Sequence, residues 1–331
     1  MKIIGIHTYL PEQISTSDDL QAEFPNWDSK KFQSKIGISQ RHIANPDETA
    51  VDLGVRAAEK VLSHFDKKKI DFLLFCTQSP DFFLPTSACV IQERLQLPIG
   101  IGALDYNLGC SGYIYGLAIA KGLLLSNIAN NVLLVVAETY SKHIYKKDIA
   151  NRAIFGDGAA ATIIANTAQN EGIGEFVLGT DGSGKNNLIV HNGAFRSSFD
   201  NAPDEIKYGT SSIYTKNHLY MNGPEIFNFT IDKVPALVDS VLKKNDIAIN
   251  DIDLFIFHQA NKYMLNYLRR KINIPKDKFY INIENTGNTV SATIPIALSE
   301  CINRKVVGSG NKVMLVGFGV GYSWGATVIT L

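Results

Sequence analysis

Cysteine is scarce in this chain of 331 residues: there are four, at positions 76, 89, 110 and 301, with no Cys-x-x-Cys pair and no clustering. That spacing excludes a structural zinc site and a secreted disulfide framework, and it leads to the expectation of reduced thiols in a cytoplasmic protein. Net charge is missing as well, because 32 Lys and Arg balance 32 Asp and Glu. A chain so balanced lacks the field of a general nucleic-acid or anionic-membrane binder, so any charge-dependent contact must be local. Nor is there a long unbroken apolar run. The longest, 110–136, is interrupted by Lys121, Ser126, Asn127, Asn130 and Asn131, which a lipid-spanning helix would not tolerate. The first thirteen residues carry one Lys and a short apolar run broken by His7 and stopped by Pro11, which reads as a first strand rather than a signal peptide.

What is present is a hydrophobic content of 45% and enough chain for about two domains or one duplicated unit. Three pairs of segments favour duplication. Residues 70–76 (IDFLLFC) match 252–258 (IDLFIFH) at an offset of 182, 132–136 (VLLVV) match 313–317 (VMLVG) at 181, and Gly109-Cys110 stands opposite Gly287-Asn288 at 178. Each apolar run is short and rich in β-branched or aromatic residues, as strands buried on both faces are. Helical patterns lie between them. Residues 112–125 are apolar nearly all round, predicting a helix at the centre of the molecule, whereas 49–65 and 226–243 are amphipathic. The class is therefore α/β, with mixed, mostly parallel sheets in two copies that share buried helices. The halves are expected at 1–172, carrying Cys110, and 173–331, carrying His258 and Asn288, with residues 171–220 read as a loop-rich bridge between them.

Cys110 sits in Gly109-Cys110-Ser111-Gly112, a small-residue turn between an apolar strand and the predicted central helix. A thiol at a helix N-terminus meets the positive end of the dipole and free N–H groups, a setting expected to favour the thiolate. Cys76, Cys89 and Cys301 have no such setting and read as packing residues. His258 ends the second-half strand, where site residues of α/β proteins gather, and Asn288 lies in a Gly-flanked turn. Taken singly, His258 reads as a core histidine and Asn288 as turn chemistry. The repeat links them, since a pseudo-twofold fold brings Cys110, His258 and Asn288 to one central cavity.

Over its whole length the sequence resembles the β-ketoacyl-acyl-carrier-protein synthase III family of the thiolase superfamily. The resemblance is carried by Ile36-Gly37-Ile38 with Arg41-His42-Ile43, Gly109-Cys110-Ser111-Gly112, Phe155-Gly156-Asp157-Gly158-Ala159, Met221-Asn222-Gly223-Pro224-Glu225-Ile226-Phe227, His258-Gln259-Ala260-Asn261, Gly287-Asn288-Thr289 and the C-terminal Gly317-Phe318-Gly319-Val320-Gly321-Tyr322-Ser323-Trp324-Gly325, in the family's order. It implies a thiolase-like αβαβα sandwich and an acyltransferase. Cys110 would accept the acyl group, and His258 and Asn288 would complete the triad by donating hydrogen bonds to the enolate formed when a malonyl thioester loses CO₂. The backbone N–H groups of Cys110 and Val320 would form the oxyanion hole, and Phe318 and, from a dimer partner, Leu84 would bound the acyl tunnel. The implied partners are acyl carrier protein, acyl-coenzyme A or both, a malonyl thioester and a second copy of the chain. The scheme calls for no metal or redox cofactor, no nucleic acid and no membrane.

The chain departs from the family pattern at several places. Lys31 and Ile149 replace a Trp and an Arg that hold the coenzyme A adenine. Tyr263 replaces a carrier-docking Arg, leaving Lys262, Arg269, Arg270 and Lys271 as the basic candidates. Val320 stands where Gly is usual, which suggests a different backbone there. A specialised relative is expected. Two alternatives use the same residues: acyl transfer to an alcohol or amine without condensation, and, more remotely, a papain-like cysteine protease, although the latter lacks its Cys-Gly-Ser-Cys-Trp-like signature. Residues 179–186 nearly spell a phosphate loop, but Asn186 replaces its Ser or Thr, so they are read as a turn, as are Phe155-Gly156-Asp157-Gly158.

Overall fold

The computed structural model of the protein describes residues 1–167, 172–209 and 212–331. Ten strands form two five-stranded sheets: β1 (Lys2–Tyr9), β2 (Phe72–Cys76), β3 (Gly102–Tyr106), β4 (Asn131–Glu138) and β5 (Gly158–Ala165) in one, and β6 (Ile173–Thr180), β7 (Leu254–Phe257), β8 (Phe279–Tyr280), β9 (Lys312–Gly319) and β10 (Ser323–Thr330) in the other. The spatial orders are β3-β2-β4-β5-β1 and β8-β7-β9-β10-β6. Read in chain order within each half these are the same permutation. The senses also match, with the first two neighbouring pairs parallel and the last two antiparallel in both sheets. The three repeats in the sequence are thus the visible part of a complete structural duplication.

Six helices bear on the site: α1 (Ala50–Leu62), α2 (Ser87–Arg94), α3 (Gly112–Leu125), α4 (Gly223–Lys244), α5 (Lys262–Lys271) and α6 (Thr293–Asn303). α3 and α6 lie between the sheets and touch strands of both, α1 and α2 cover the outside of the first sheet, and α4 packs on the outside of the second. The layers run αβαβα. The reason lies in the side chains. α3 has apolar residues on every face, so neither a single sheet nor a surface position would cover it, and Tyr113, Ile114, Leu117, Ala120 and Leu124 are all within the central core. α1 is amphipathic and starts at a reciprocal cap in which Thr49 and Asp52 bond each other's backbone N–H.

The expected bridge at 171–220 holds more structure than its composition suggests. Its first part is β6, paired antiparallel with β10, and short strands follow at Leu188–Val190, Ile206–Tyr208, Ser212–Tyr214 and Leu219–Met221. β6 escaped the apolar-run criterion because it is an edge strand with one solvated face and two glycines, and a Cβ at Gly179 would collide with the Trp324 indole. Residues 171, 210 and 211 of that stretch lie outside the described residues, as do 168–170, next to the expected boundary at 172. Among the described residues no helix is long and apolar enough to cross a membrane, and no group of three or more His, Cys, Asp or Glu is placed to hold a metal ion.

Because α3 packs against strands of both sheets, truncating it tests the architecture. Leu117→Ala should lower unfolding free energy by about 2–5 kcal/mol, the usual cost of a large-to-small change at a closed core site, as measured by urea denaturation; a loss below about 1 kcal/mol would contradict the central placement.

Candidate active site

Cys110, His258 and Asn288 line one cavity of about 130 Å³, together with Ile154, Phe155, Leu188, Met221, Ile226, Met264, Phe318 and Gly319. They arrive on three different elements. Cys110 is on the turn entering α3, His258 follows β7, and Asn288 is in the turn before α6, the counterpart of the Cys110 turn in the other half. The turn is locked across the duplication: the hydroxyls of Ser111 and Ser323 share a hydrogen bond of 2.6 Å. β9 runs directly beneath it. A Cβ at Gly319 would sit 2.8 Å from both Cβ and Sγ of Cys110, so only glycine lets the strand pass the thiol so closely.

The backbone N–H groups of Val320 and of Cys110 itself lie close enough to the Cys110 sulfur to favour its charged form. When the sulfur attacks a thioester, the charge develops on the neighbouring carbonyl oxygen, and backbone N–H groups beside the sulfur are the kind of donor that oxygen requires. Val320 is not among the residues with positive φ; Gly321, at 134°, takes that conformation. Val320 itself thus stays outside the left-handed region that only glycine enters freely.

The thiolate expectation is reversed. Burial pushes the Cys110 thiol up to about 12, the carboxyl of Glu138 adds to the shift, and the two backbone donors only partly oppose it. Desolvation at a sealed turn outweighs the dipole of the helix that follows. Burial likewise pushes the His258 imidazole down to about 3, so the pair is neutral at physiological pH. His258 is fixed by its backbone N–H donating to Val316 O at 2.7 Å, by ring Nδ1 at 2.8 Å from Thr293 Oγ1, and by the edge-to-face ring of Phe318 with centroids 5.6 Å apart.

Asn288 is clamped on both backbone groups, donating to Ile154 O at 2.9 Å and accepting from Gly156 N–H at 3.0 Å. Its side-chain Oδ1 accepts the Val290 N–H at 2.9 Å, which leaves the amide NH₂ as the group turned to the cavity. Val290 holds a φ of 55°, a left-handed conformation that costs a β-branched residue about 1–3 kcal/mol. Behind this turn lies the guanidinium of the wholly buried Arg41, donating to Ala153 O, Ser15 O and Thr16 O.

Thr293, Val290 and Glu138 carried no signal in the sequence reading; the nearest clue was their closeness in sequence to Asn288 or to the end of a buried strand. Glu138 is wholly buried and accepts from Gln78 N–H, Ser79 Oγ and Ser291 Oγ, tying the loop after β2 to the Asn288 turn. Burial pushes its carboxyl up to about 8. Tyr140 packs with Cys110, Phe155 and Leu188 and donates to Gln78 Oε1 at 3.2 Å.

Other sequence candidates lie apart. Leu84 is 80% exposed and does not line the cavity. Lys262 opens α5 next to Ala260 and Asn261 at the cavity wall, with Lys35 5.3 Å above the Tyr263 ring beside it. Arg269, Arg270 and Lys271 are a further 10 Å or so along the helix, and Arg269 and Lys271 direct donors to Ile274 O and Ile231 O. Lys31 is exposed and Ile149 buried. Residues 182–184 form a surface 3₁₀ turn capped by Asp181, while Asp157 is buried and takes hydrogen bonds from Ala44 N–H and Ser141, not a phosphate.

Comparison with known proteins agrees with this geometry. A family model described as 3-oxoacyl-[acyl-carrier-protein (ACP)] synthase III matches residues 104–182, and one described as the C terminal of the same enzyme matches 242–331. β-Ketoacyl-[acyl-carrier-protein] synthase III of Clostridium perfringens is 35% identical, covering 100% of this chain and 99% of that one. A crystal structure of a 3-oxoacyl-(acyl-carrier-protein) synthase III superposes with a TM-score of 0.97 at 45% identity, covering 100% and 99%. The 3-oxoacyl-(acyl-carrier protein) synthase from Burkholderia xenovorans LB400 gives 0.92 at 32%, covering 100% and 93%. The papain-like reading falls, since the full-length relatives are synthases and not proteases.

The buried acid and base give stability a pH signature. Glu138, at about 8 against its ordinary 4.5, keeps a proton in the folded chain that the unfolded chain loses across that interval, so stability falls as pH rises through it. His258, at about 3 against 6.5, does the opposite: the unfolded chain gains the extra proton, and stability is lost as pH falls below 6.5. Above 6.5 only the Glu138 effect of the two remains. Thermal melts should therefore show Tm declining from about pH 6.5 to about pH 8.5, with most of that slope absent in Glu138→Gln; an equal slope in the variant would assign it elsewhere.

Proposed function

The chain belongs to the β-ketoacyl-acyl-carrier-protein synthase III family, within the thiolase superfamily of condensing enzymes, and from that membership we propose how its cavity works. The protein is an acyltransferase that condenses an acyl group with a malonyl thioester. Cys110 is the nucleophile. Its sulfur attacks the acyl thioester, the N–H groups of Cys110 and Val320 hold the tetrahedral oxyanion, and the carrier thiol departs. The malonyl thioester then loses CO₂, the enolate oxygen is held by His258 and by the Asn288 amide, and the carbanion attacks the Cys110 thioester. Each oxyanion donor of this kind is worth a factor of roughly 10² to 10³ in rate. The two half-reactions need no metal and no redox cofactor.

The observation that carries this reading is the convergence of Cys110, His258 and Asn288, from both halves (1–172 and 173–331), on one apolar cavity with two backbone donors at the sulfur. The apolar wall of Phe318, Leu188, Met221 and Ile226 suits an acyl chain. Exposed Lys31 offers no aromatic face and buried Ile149 no guanidinium at the positions matching the family's adenine partners, which favours donors on carrier protein over coenzyme A. Lys262, which follows Ala260 and Asn261 of the cavity wall, and Lys35, over the Tyr263 ring, supply positive charge for an acidic carrier.

A homodimer completes the reading. β3 is an edge strand with one side unpaired, Leu104 on it is exposed, and Phe82, Phe83, Leu84, Ile99, Phe195 and Phe199 form further exposed apolar surface. Apolar surface on that scale beside an open strand edge suits a second copy. Leu84, off its own cavity, would then close the acyl tunnel of the partner.

Two measurements test this. Intact mass after incubation with acyl thioesters on coenzyme A and on carrier protein should show an acyl adduct that is absent in Cys110→Ala, followed by CO₂ release on adding malonyl-carrier protein; no adduct with any donor would end the mechanism, and an adduct without CO₂ release would favour plain acyl transfer. Light scattering should give twice the chain mass of 36.4 kDa, and Leu84→Phe should shift the preferred donor toward shorter chains; a monomer, or an unchanged preference, would remove Leu84 from the tunnel.

A further inference from the structure

Arg41 is a buried charge that the mechanism does not use. It is wholly buried, and the oxygens its guanidinium bonds are all uncharged: Nη1 donates to Ala153 O at 3.2 Å, and Nη2 to Ser15 O at 2.9 Å, Ser15 Oγ at 3.0 Å and Thr16 O at 3.2 Å. Burial pulls the guanidinium down to about 10, which still leaves it charged at physiological pH. A buried charge answered by neutral oxygens is a costly way to fill space, and an apolar side chain of similar volume would cost less. The reason for the arginine is therefore sought in what its two ends join.

Arg41 stands on the short strand Gln40–His42, paired with Ile14–Thr16, and its guanidinium crosses from that ladder to Ala153, the residue that ends the short helix Ile149–Arg152. The next carbonyl, Ile154 O, takes the Asn288 N–H, and the Gly156 N–H bonds Asn288 O. The stem of Arg41 meets the same turn from behind. A Cβ at Gly287 would sit 2.6 Å from Arg41 Cγ, and one at Gly156 would sit 3.3 Å from Arg41 Cβ. Gly287 directly precedes Asn288 and holds a φ of 65°. Both sides of the bridge between Phe155 and Asn288 thus rest on one side chain.

We propose that Arg41 is a positioning residue that sets the Asn288 amide for the malonyl step and leaves acyl loading of Cys110 untouched. The inference rests on the reading that Asn288 holds the enolate oxygen, and it adds what holds Asn288. The contacts of Arg41 run to residues 153–156 and 287, on the Asn288 side of the cavity. The Cys110 turn is held by other means, the bond between the Ser111 and Ser323 hydroxyls and the close passage of β9 at Gly319. The two half-reactions therefore lean on separate supports, and removing one support separates them.

The two steps are timed separately, acyl loading by the mass gain on Cys110 and the malonyl step by CO₂ release from malonyl-carrier protein on preloaded enzyme. Arg41→Lys keeps the charge but has a single nitrogen, which cannot bridge Ala153 O and Ser15 O together. Loading in this variant should stay within about twofold of the wild type while CO₂ release falls about tenfold, the worth of one hydrogen bond, with malonyl KM little changed. The Asn288 amide signals, read by NMR of enzyme labelled on asparagine side chains and identified by their loss in Asn288→Asp, should shift in the same variant. CO₂ release at the wild-type rate, an unmoved Asn288 amide, or an equal fall in both steps would overturn the proposal. In the wild type, the Nη1 and Nη2 signals of the wholly buried arginine should be separate, because both groups are bonded; a single averaged signal would overturn the proposal even if Arg41→Lys did not fold. Failure of the wild type to load acyl or to release CO₂ would end the catalytic reading, and the Asn288 amide signals would still decide for or against Arg41.

Discussion

A helix that is apolar on all its faces has to be covered on all its faces, and the rest of this structure follows from meeting that demand for α3. One sheet buries one side. The second sheet, a copy of the first with the same strand order and the same mixture of senses, buries the other. The turn that enters α3 is thereby carried to the middle of the molecule, where the strand end bearing His258 and the matching turn bearing Asn288 also point. The nucleophile's position is a consequence of packing before it is a matter of chemistry.

The same burial decides the electrostatics. A helix N-terminus favours a thiolate, but the effect is small beside the cost of an unpaired charge in an enclosed apolar cavity. Cys110, His258 and Glu138 are each driven toward their uncharged forms. Such a site starts from neutral groups and develops charge only as the reaction proceeds, and fixed backbone donors are effective there because water is excluded.

Much of this was legible in the chain. The bounds of α3, the buried strands β2, β4, β7 and β9, the duplication and the three residues of the cavity all leave marks in composition, periodicity or spacing. β6 did not, because a half-solvated edge strand with glycines has neither a continuous apolar run nor clear alternation. Thr293, Val290 and Glu138 did not, because their roles come from contacts with residues far away in the chain or from a backbone angle, and neither is encoded in residue type alone.

The sequence by itself determined the class, the repeat, the family and the residue types available for chemistry, because these depend on local pattern and on motifs that keep their order. Tertiary structure decided the direction in which burial shifts the titrating groups, the orientation of the Asn288 amide, the contacts that hold the His258 ring, and the removal of Leu84 from its own cavity. Those properties depend on desolvation and on hydrogen-bond geometry between segments brought together only by folding, and each changes with an ångström of placement that no linear pattern records.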